Sequence, residues 1–402
     1  MAHPKETGQY FPINTPDIGS TLEVEDENTS ALFKSLTIKD MVFKNRIFAS
    51  PMCQYSSDNG HATDWHLVHI GGFATRGVGA ICMEATSVVP EGRISPEDAG
   101  LWLDTQIEPL KRIVNFAHAH GTKIGIQLSH AGRKSSIHPP WVQSKAGRGS
   151  SHVALENEGG WPGRVYGPSD LPFSKTYPIP KAMTEQDLLY LENAFISSIE
   201  RCQKAGFDFI ELHGAHGYLL HSFLSPLSNT RDDEYGGQPL ENRLRFFLRL
   251  VKVCREAWAE KPLFVRISAS DWADGPEKDD EGRWKQWGIE QSTILVARLK
   301  EIGVDLIDCS SGGNWAHQKI IAKPGYQVPF AEALKIAHPD ILVGTVGLIT
   351  EPLQAESYLK NGQADVVFLA RGIMRNPHWA ITAAEQLGVK VKVANQYERA
   401  WH

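Results

Sequence analysis

The chain has 402 residues, of which 42% are hydrophobic and 22% charged, with a formal charge of −6. That is an ordinary globular balance with enough apolar material for a large core. Acidic and basic residues are interspersed, so no basic stripe points to nucleic acid or an anionic membrane. No apolar run reaches the roughly 18 residues that a membrane span needs.

The first residues, MAHPKETGQY, lack the charged-then-apolar pattern of a secretory signal. Cys53, Cys82, Cys202, Cys254 and Cys309 are odd in number and widely scattered. They read as reduced thiols of a cytoplasmic protein rather than as a disulfide framework.

Residues 1–30 are polar and aperiodic, and are expected to form an arm or surface wrap. Residues 31–402 are expected to form one domain with a C-terminal tail. Within it, short runs rich in β-branched residues fall near 46–50, 80–85, 123–128, 207–212, 263–268, 304–309, 341–345 and 365–369. Several follow a Gly that suits the end of a helix, as in His120-Gly121, Ala205-Gly206, Ile302-Gly303 and Asn361-Gly362. Their continuous apolar character suits strands buried on both faces.

A Pro-, Gly- and Ser-rich stretch at 138–183 is too long for a simple connection and is expected to form a loop over a site. After it, Thr184 and Asp187 can cap a helix with Leu188, Leu191, Phe195, Ile199 and Cys202 on one face. Pro239 suits the first turn of another, faced by Leu240, Leu244, Phe247, Val251 and Cys254. A second excursion, 271–287, carries Trp272, Trp284 and Trp287 and is expected at the surface.

Eight strands alternating with helices predict an α/β fold, a closed (β/α)8 TIM barrel with extended loops. An open doubly wound sheet would show a Gly-rich fingerprint after its first strand. Gly77 and Gly79 instead precede a strand.

In such barrels the chemistry gathers at the C-terminal strand ends. Those positions carry Cys53, Tyr55, Ala85, Gln127, His213, His216, Tyr218, Arg266, Ser310 to Gly313, Gly347, Ala370 and Arg371. Small or polar residues at every end describe a ligand-filled mouth.

The motifs SPMCQYS at 50–56, QLSHAGRK at 127–134, HGAHGYLLHSFLSP at 213–226 and NTRDDEYGG at 229–237 resemble those of the old yellow enzyme family. So do VRIS at 265–268, VGLIT at 346–350 and FLARGIMRNP at 368–377. Together they cover about 31–390 in the family's order. Cys53, where yeast-type members have Thr, and the tail Gln396-Tyr397-Glu398-Arg399-Ala400-Trp401 look like the bacterial-type NADPH dehydrogenases.

The resemblance implies an FMN-dependent ene-reductase driven by NADPH or NADH and acting on small electron-poor alkenes. His213 and His216 would hold the substrate's carbonyl or nitro oxygen, as oxyanion-type donors. Tyr218 would protonate the α-carbon. A metal site is the rival reading of the two histidines, but no nearby carboxylate or Cys completes a ligand set.

Arg266 would sit by the flavin N1 and O2 edge, where a positive charge favours the anionic reduced form. Gln127 would bond the flavin pyrimidine, Ala85 would leave room for the ring, and Cys53 would touch the O4/N5 edge. Pro51, Met52 and Ser311 complete the expected flavin contacts. Gly347, Ala370 and Arg371 would take the phosphate, with Ala370 standing where the family commonly has Gly.

Tyr55 would face the substrate, joined by Arg399 reaching in from a partner subunit, which implies at least a homodimer. A flavin-dependent oxidase or isomerase of a biosynthetic pathway is the alternative on the same fold.

Overall fold

The computed structural model describes residues 11, 13–147 and 149–401. Eight parallel strands close a barrel. They are β1 (Ile47–Ala49), β2 (Ala80–Ser87), β3 (Lys123–Ser129), β4 (Phe209–Gly214), β5 (Leu263–Ser268), β6 (Leu306–Ser310), β7 (Leu342–Thr345) and β8 (Val366–Leu369). Every expected strand is present, with ends moved by no more than two residues. The α/β barrel reading therefore stands.

Around the strands run α1 (Asp64–Ala74), α2 (Ile107–Ala119), α3 (Glu185–Ala205), α4 (Leu240–Ala257), α5 (Ile289–Ile302), α6 (Val328–Ala337), α7 (Pro352–Lys360) and α8 (Trp379–Leu387). Thr184 caps α3 in a reciprocal box with Asp187, and Gly206 ends it at φ +90°. Pro239 is the residue before α4 rather than its first turn.

Below the site the barrel is plugged by Phe48, Phe209, Phe264, Leu306 and Phe368. Glycines make room for these rings: a Cβ at Gly125 would lie 2.3 Å from Phe209, and one at Gly344 2.3 Å from Phe368. A hairpin, Leu36–Ile38 with Met41–Phe43, closes the N-terminal end by adding Leu36, Ile38 and Phe43 to that plug.

The arm's residues 1–10 and 12 lie outside the described residues. Beyond them Ile18 is fully buried, and the backbone N–H of Gly19 donates to Lys392 O at 2.8 Å. Among the described residues, the stretch 138–183 holds a short α-helix, Pro140–Ala146, two 3-10 turns, Glu156–Glu158 and Pro162–Arg164, and a two-stranded pair, Tyr166–Gly167 with Lys181–Ala182.

The excursion 271–287 corrects the sequence-based expectation. Trp287 has no exposure and its Nε1 donates to Ser268 O at 2.9 Å. Buried Asp271 accepts from Trp287 N at 3.0 Å and from Ser225 Oγ at 2.5 Å. The segment is thus partly core, because an indole that finds an acceptor buries well. All five cysteines are free thiols, and Cys53 is the one not fully buried.

Candidate active site

Strand register sets the first layer of the mouth. Neighbouring pairs are Ala85 with Gln127, Gln127 with Glu211, His213 with Arg266, Arg266 with Asp308, and Ser268 with Ser310. Side chains two residues apart on a strand share a face, so the interior passes from Phe209 and Phe264 upward to polar groups. β2 carries a bulge between Met83 and Ala85, which leaves Glu84 as the extra residue. Glu84 Oε2 accepts Gln54 N at 2.8 Å and its Oε1 lies 3.1 Å from His66 Nε2, so the bulge anchors the loop of Pro51, Met52, Cys53 and Tyr55.

The turn after β4 brings three expected residues together. The rings of His213 and His216 are 5.2 Å apart and edge-on, and those of His213 and Tyr218 are 4.8 Å apart. His213 Nδ1 accepts Ala215 N at 3.3 Å, which leaves the proton on Nε2. His216 Nε2 lies 2.8 Å from Ser310 Oγ, and its backbone N donates to Ser268 Oγ at 2.9 Å.

His216 stands at φ +59°, as do Tyr55 at +49° and Leu348 at +51°, in a region that bulky residues rarely adopt. Such strain gathers where a site fixes its groups. Gly217 N donates to His221 Nδ1 at 3.0 Å, and His221 Nε2 lies 3.2 Å from Asp271 Oδ1, a buried prop beneath the turn.

Electrostatics keep these groups neutral. Burial, reinforced by the Arg266 charge, holds both imidazoles well below the usual histidine range. Burial pushes the Tyr218 phenol well above the tyrosine range and the Cys53 thiol well above the cysteine range. At neutral pH the site therefore offers two neutral imidazoles, a phenol and a thiol, beside the cation of Arg266.

A cavity of about 170 Å³ opens among His216, Arg266, Ser310, Gly347, Ala370 and Arg371. Gly347 has φ +121°, and a Cβ there would lie 2.8 Å from Gln327 Nε2. Ala370 sits at φ −104° and ψ −103°, outside the left-handed region that favours glycine. A larger groove of about 830 Å³ lies at the other end, lined by Lys39, Lys44, Lys123 and Asp208. It is at the barrel face that serves stability rather than chemistry.

Flavin fits the donor set at the strand ends. Ser50 Oγ is buried without a hydrogen-bond partner among the described residues, so the mouth has a polar group that a ligand could satisfy. Gln127, Ala85, Cys53 and Arg266 could face the ring system, with Gly347, Ala370 and Arg371 facing a phosphate. Ser311 lies deeper in the network: its Oγ donates to Gln327 Oε1 at 2.6 Å and accepts Trp272 Nε1 at 2.9 Å. Arg399 lies away on the exposed face of a short turn, Asn395–Ala400.

Sequence reasoning gave no role to Lys134, Glu84, Glu211, Asp308 or Gln327. Lys134 Nζ donates to His216 O at 2.8 Å and also to Gly313 O, lying 5.8 Å from the centre of the Tyr218 ring. Burial lowers its ammonium to about 7. Its signal was present, since it ends the QLSHAGRK motif. Glu211 and Asp308 were visible as acids inside apolar runs.

A parallel barrel with a polar, glycine-cradled mouth defines a cofactor-binding TIM-barrel enzyme. A sequence model of the NADH:flavin oxidoreductase / NADH oxidase family matches residues 31–389, and the chain belongs to that family, the old yellow enzymes. It is an oxidoreductase that uses FMN with NAD(P)H as reductant.

The chain is 44% identical over 394 residues to the NADH:flavin oxidoreductase FG08077 of Gibberella zeae, covering 97% of this chain and 92% of that one. It is 45% identical over 372 residues to the NADPH dehydrogenase of Geobacillus sp. (strain WCH70), covering 92% and 98%. Morphinone reductase shares the fold with a TM-score of 0.71 at 22% identity, over 91% of this chain and 92% of that one. A 2-naphthoyl-CoA reductase gives a TM-score of 0.76 at 21% identity, but the chain spans only 52% of its length. Among the described residues no helix is long and apolar enough to cross a membrane.

Proposed function

We propose that this enzyme is an NADPH dehydrogenase that reduces the C=C bond of α,β-unsaturated carbonyl or nitro compounds. The observation that carries the reading is the neutral His213–His216–Tyr218 cluster facing the Arg266 cation at one strand-end mouth. FMN, when bound, supplies hydride chemistry: it takes two electrons from NAD(P)H and returns them to a β-carbon.

The chain's own residues do the rest. His213 presents its Nε2 proton to the substrate oxygen. Ser310 fixes the ring of His216 so that it donates beside it. Neutral imidazoles are suited to this, because they polarise the oxygen without surrendering a proton to it. Negative charge builds on that oxygen as the β-carbon accepts hydride. Tyr218 then delivers a proton from its Oη to the α-carbon. Lys134 holds the loop of His216 against that of Gly313, so both histidines keep their aim.

Arg266, Gln127, Cys53, Ala85, Pro51 and Met52 orient the flavin ring, and Gly347, Ala370 and Arg371 hold its phosphate. Ser311 acts through Gln327. Tyr55 lines the substrate side. Arg399 completes the site of a neighbouring copy in a homodimer or larger assembly.

An anaerobic visible spectrum tests the reading. The purified protein is expected to show flavin bands that bleach with NADPH and return when 2-cyclohexenone is added. Bands that bleach and stay bleached would remove the alkene from the proposal. A colourless protein that added FMN does not restore would remove the flavin site.

A further inference from the structure

Under the mouth lies one more polar layer, which the proposed reaction does not use. Gln127, Glu211, Arg266 and Asp308 occupy the successive strands β3, β4, β5 and β6. Glu211 and Asp308 have no solvent exposure. Gln127 Nε2 donates to Glu211 Oε1 at 2.6 Å, and Arg266 Nε lies 3.1 Å from Asp308 Oδ2. Glu211 Oε2 and both Asp308 oxygens have no hydrogen-bond partner of good geometry among the described residues.

Two carboxyls with no solvent exposure therefore face one guanidinium at the floor of the mouth. Ionising both would leave an uncompensated buried anion, which is strongly disfavoured. One proton is retained. Burial raises both carboxyls, and Asp308 raises Glu211 further, while Arg266 opposes the rise in each. Asp308, paired with Arg266, is the ionised member and Glu211 the protonated one.

The other groups around the pair do not compensate its charge. Cys82 on β2 and Cys309 on the outer face of β6 are thiols raised by burial. His213 on β4 is neutral, and Lys134, about 7, acts on it from the loop after β3. From the end of β7, and from β8 and β1, come Val346, Phe368 and Phe48, none of which titrates.

We propose that Glu211 and Asp308 act as one proton store, holding a single proton when the cofactor beside Arg266 is neutral and taking a second from solvent when hydride arrives there. This rests on the placement of the flavin against Arg266 proposed above. The charge count is simple. Hydride from NADPH carries two electrons and one proton, so it adds one negative charge beside Arg266, and NADP+ departs. Arg266 then faces two anions. Its hold on Asp308 weakens, and the added like charge raises the proton affinity of the pair. One solvent proton restores neutrality. When the alkene takes the hydride at its β-carbon and the Tyr218 proton at its α-carbon, the negative charge leaves and the pair returns its proton to solvent.

The midpoint potential of the bound flavin, followed spectroscopically from pH 6 to 9, tests this in the intact holoenzyme. Hydride acceptance alone couples one proton to two electrons, and the pair adds a second. Where the pair takes up its proton, the potential of the wild-type enzyme is expected to fall with pH about twice as steeply as that of the double variant Glu211→Gln/Asp308→Asn, in which neither side chain can take a proton. Gln keeps an acceptor for Gln127 and Asn keeps one beside Arg266, so the layer retains its partners. Proton uptake in weakly buffered solution, read with an indicator dye during anaerobic reduction, is expected to drop by half in the same variant. A protonated-carboxyl infrared band in the wild type, gained in intensity on reduction and absent in the double variant, is the readout that needs no potential. Equal slopes and equal uptake in both proteins, with flavin bound, would overturn the proton store and leave the flavin site standing. A protein that binds no flavin would overturn both.

Discussion

Tyr218 carries the proton balance of the proposed reaction at a single atom. Its phenol is raised by burial, so it stays protonated through the neutral range and enters the reaction as a donor. Tyr218→Phe removes only that oxygen. It is expected to slow alkene reduction on the order of 10²–10⁴-fold, while reduction of the flavin by NADPH keeps its wild-type rate. Rapid-mixing measurement of each half-reaction separates the two. Equal slowing of both would assign Tyr218 to flavin binding instead. Lys134 is the positioning counterpart. Lys134→Met frees His216 O and Gly313 O from their shared donor. A loss of aim of this kind is expected to cost on the order of 10²-fold in kcat for the alkene step, with little change in flavin content. The stability consequence has a definite sign. The folded protein releases the Lys134 proton at about 7, whereas the unfolded chain keeps it to the ordinary 10.5. The unfolded state binds more protons in that window, so this group's contribution rises with pH from about 7 to 10.5. Urea midpoints of wild type minus Lys134→Met are expected to move in favour of the wild type across the same range.

At the scale of elements, the bulge in β2 does what a regular strand could not. One extra residue turns Glu84 toward the loop that carries Cys53 and Tyr55, where it takes Gln54 N and meets His66 Nε2. Glu84→Ala would leave the half-buried Gln54 N without its acceptor and His66 Nε2 with only Ser57 Oγ at 3.4 Å, at a cost of about 1–3 kcal/mol. The expected result is a lower urea midpoint, together with a shifted flavin absorption maximum as Cys53 loses its position. An unshifted spectrum with lowered stability would confine Glu84 to a structural part. The strands themselves were legible because each is an apolar run rich in β-branched residues, and several follow a Gly that suits the end of a helix. The bulge was not, since AICMEATS reads as one uninterrupted strand until its partner's register is known. Nor were the left-handed conformations of Tyr55, His216 and Leu348, because only surrounding structure holds such residues there. The His213, His216 and Tyr218 cluster was legible because a single turn holds it within six residues. Lys134 reaches that turn from 82 positions away in the chain, a distance no local pattern bridges.

At the scale of the whole molecule, the C-terminal segment ties back onto its own barrel and leaves Arg399 outward. Lys392 N donates to Ser20 O at 2.9 Å, the Arg76 guanidinium lies 5.3 Å from the centre of the Tyr397 ring, and the His378 and Trp401 rings are 5.2 Å apart. Those contacts hold the turn against its own barrel while Arg399 stays exposed. A guanidinium aimed outward from a fixed turn suits an anionic or oxygen-rich group on another copy. If Arg399 works in the partner's mouth, Arg399→Ala is expected to raise KM for the alkene and leave kcat nearly unchanged, because it removes binding rather than chemistry. Complementation decides between chains. Arg399→Ala and Tyr218→Phe, co-expressed with different tags and purified as a mixed dimer, place an intact Tyr218 and an intact Arg399 at one of the two sites. That dimer is expected to recover the wild-type KM at half the wild-type kcat. Were Arg399 to serve its own barrel, each site of the mixed dimer would carry one defect and no recovery would follow. A monomer in sedimentation at the enzyme's working concentration would remove the partner altogether.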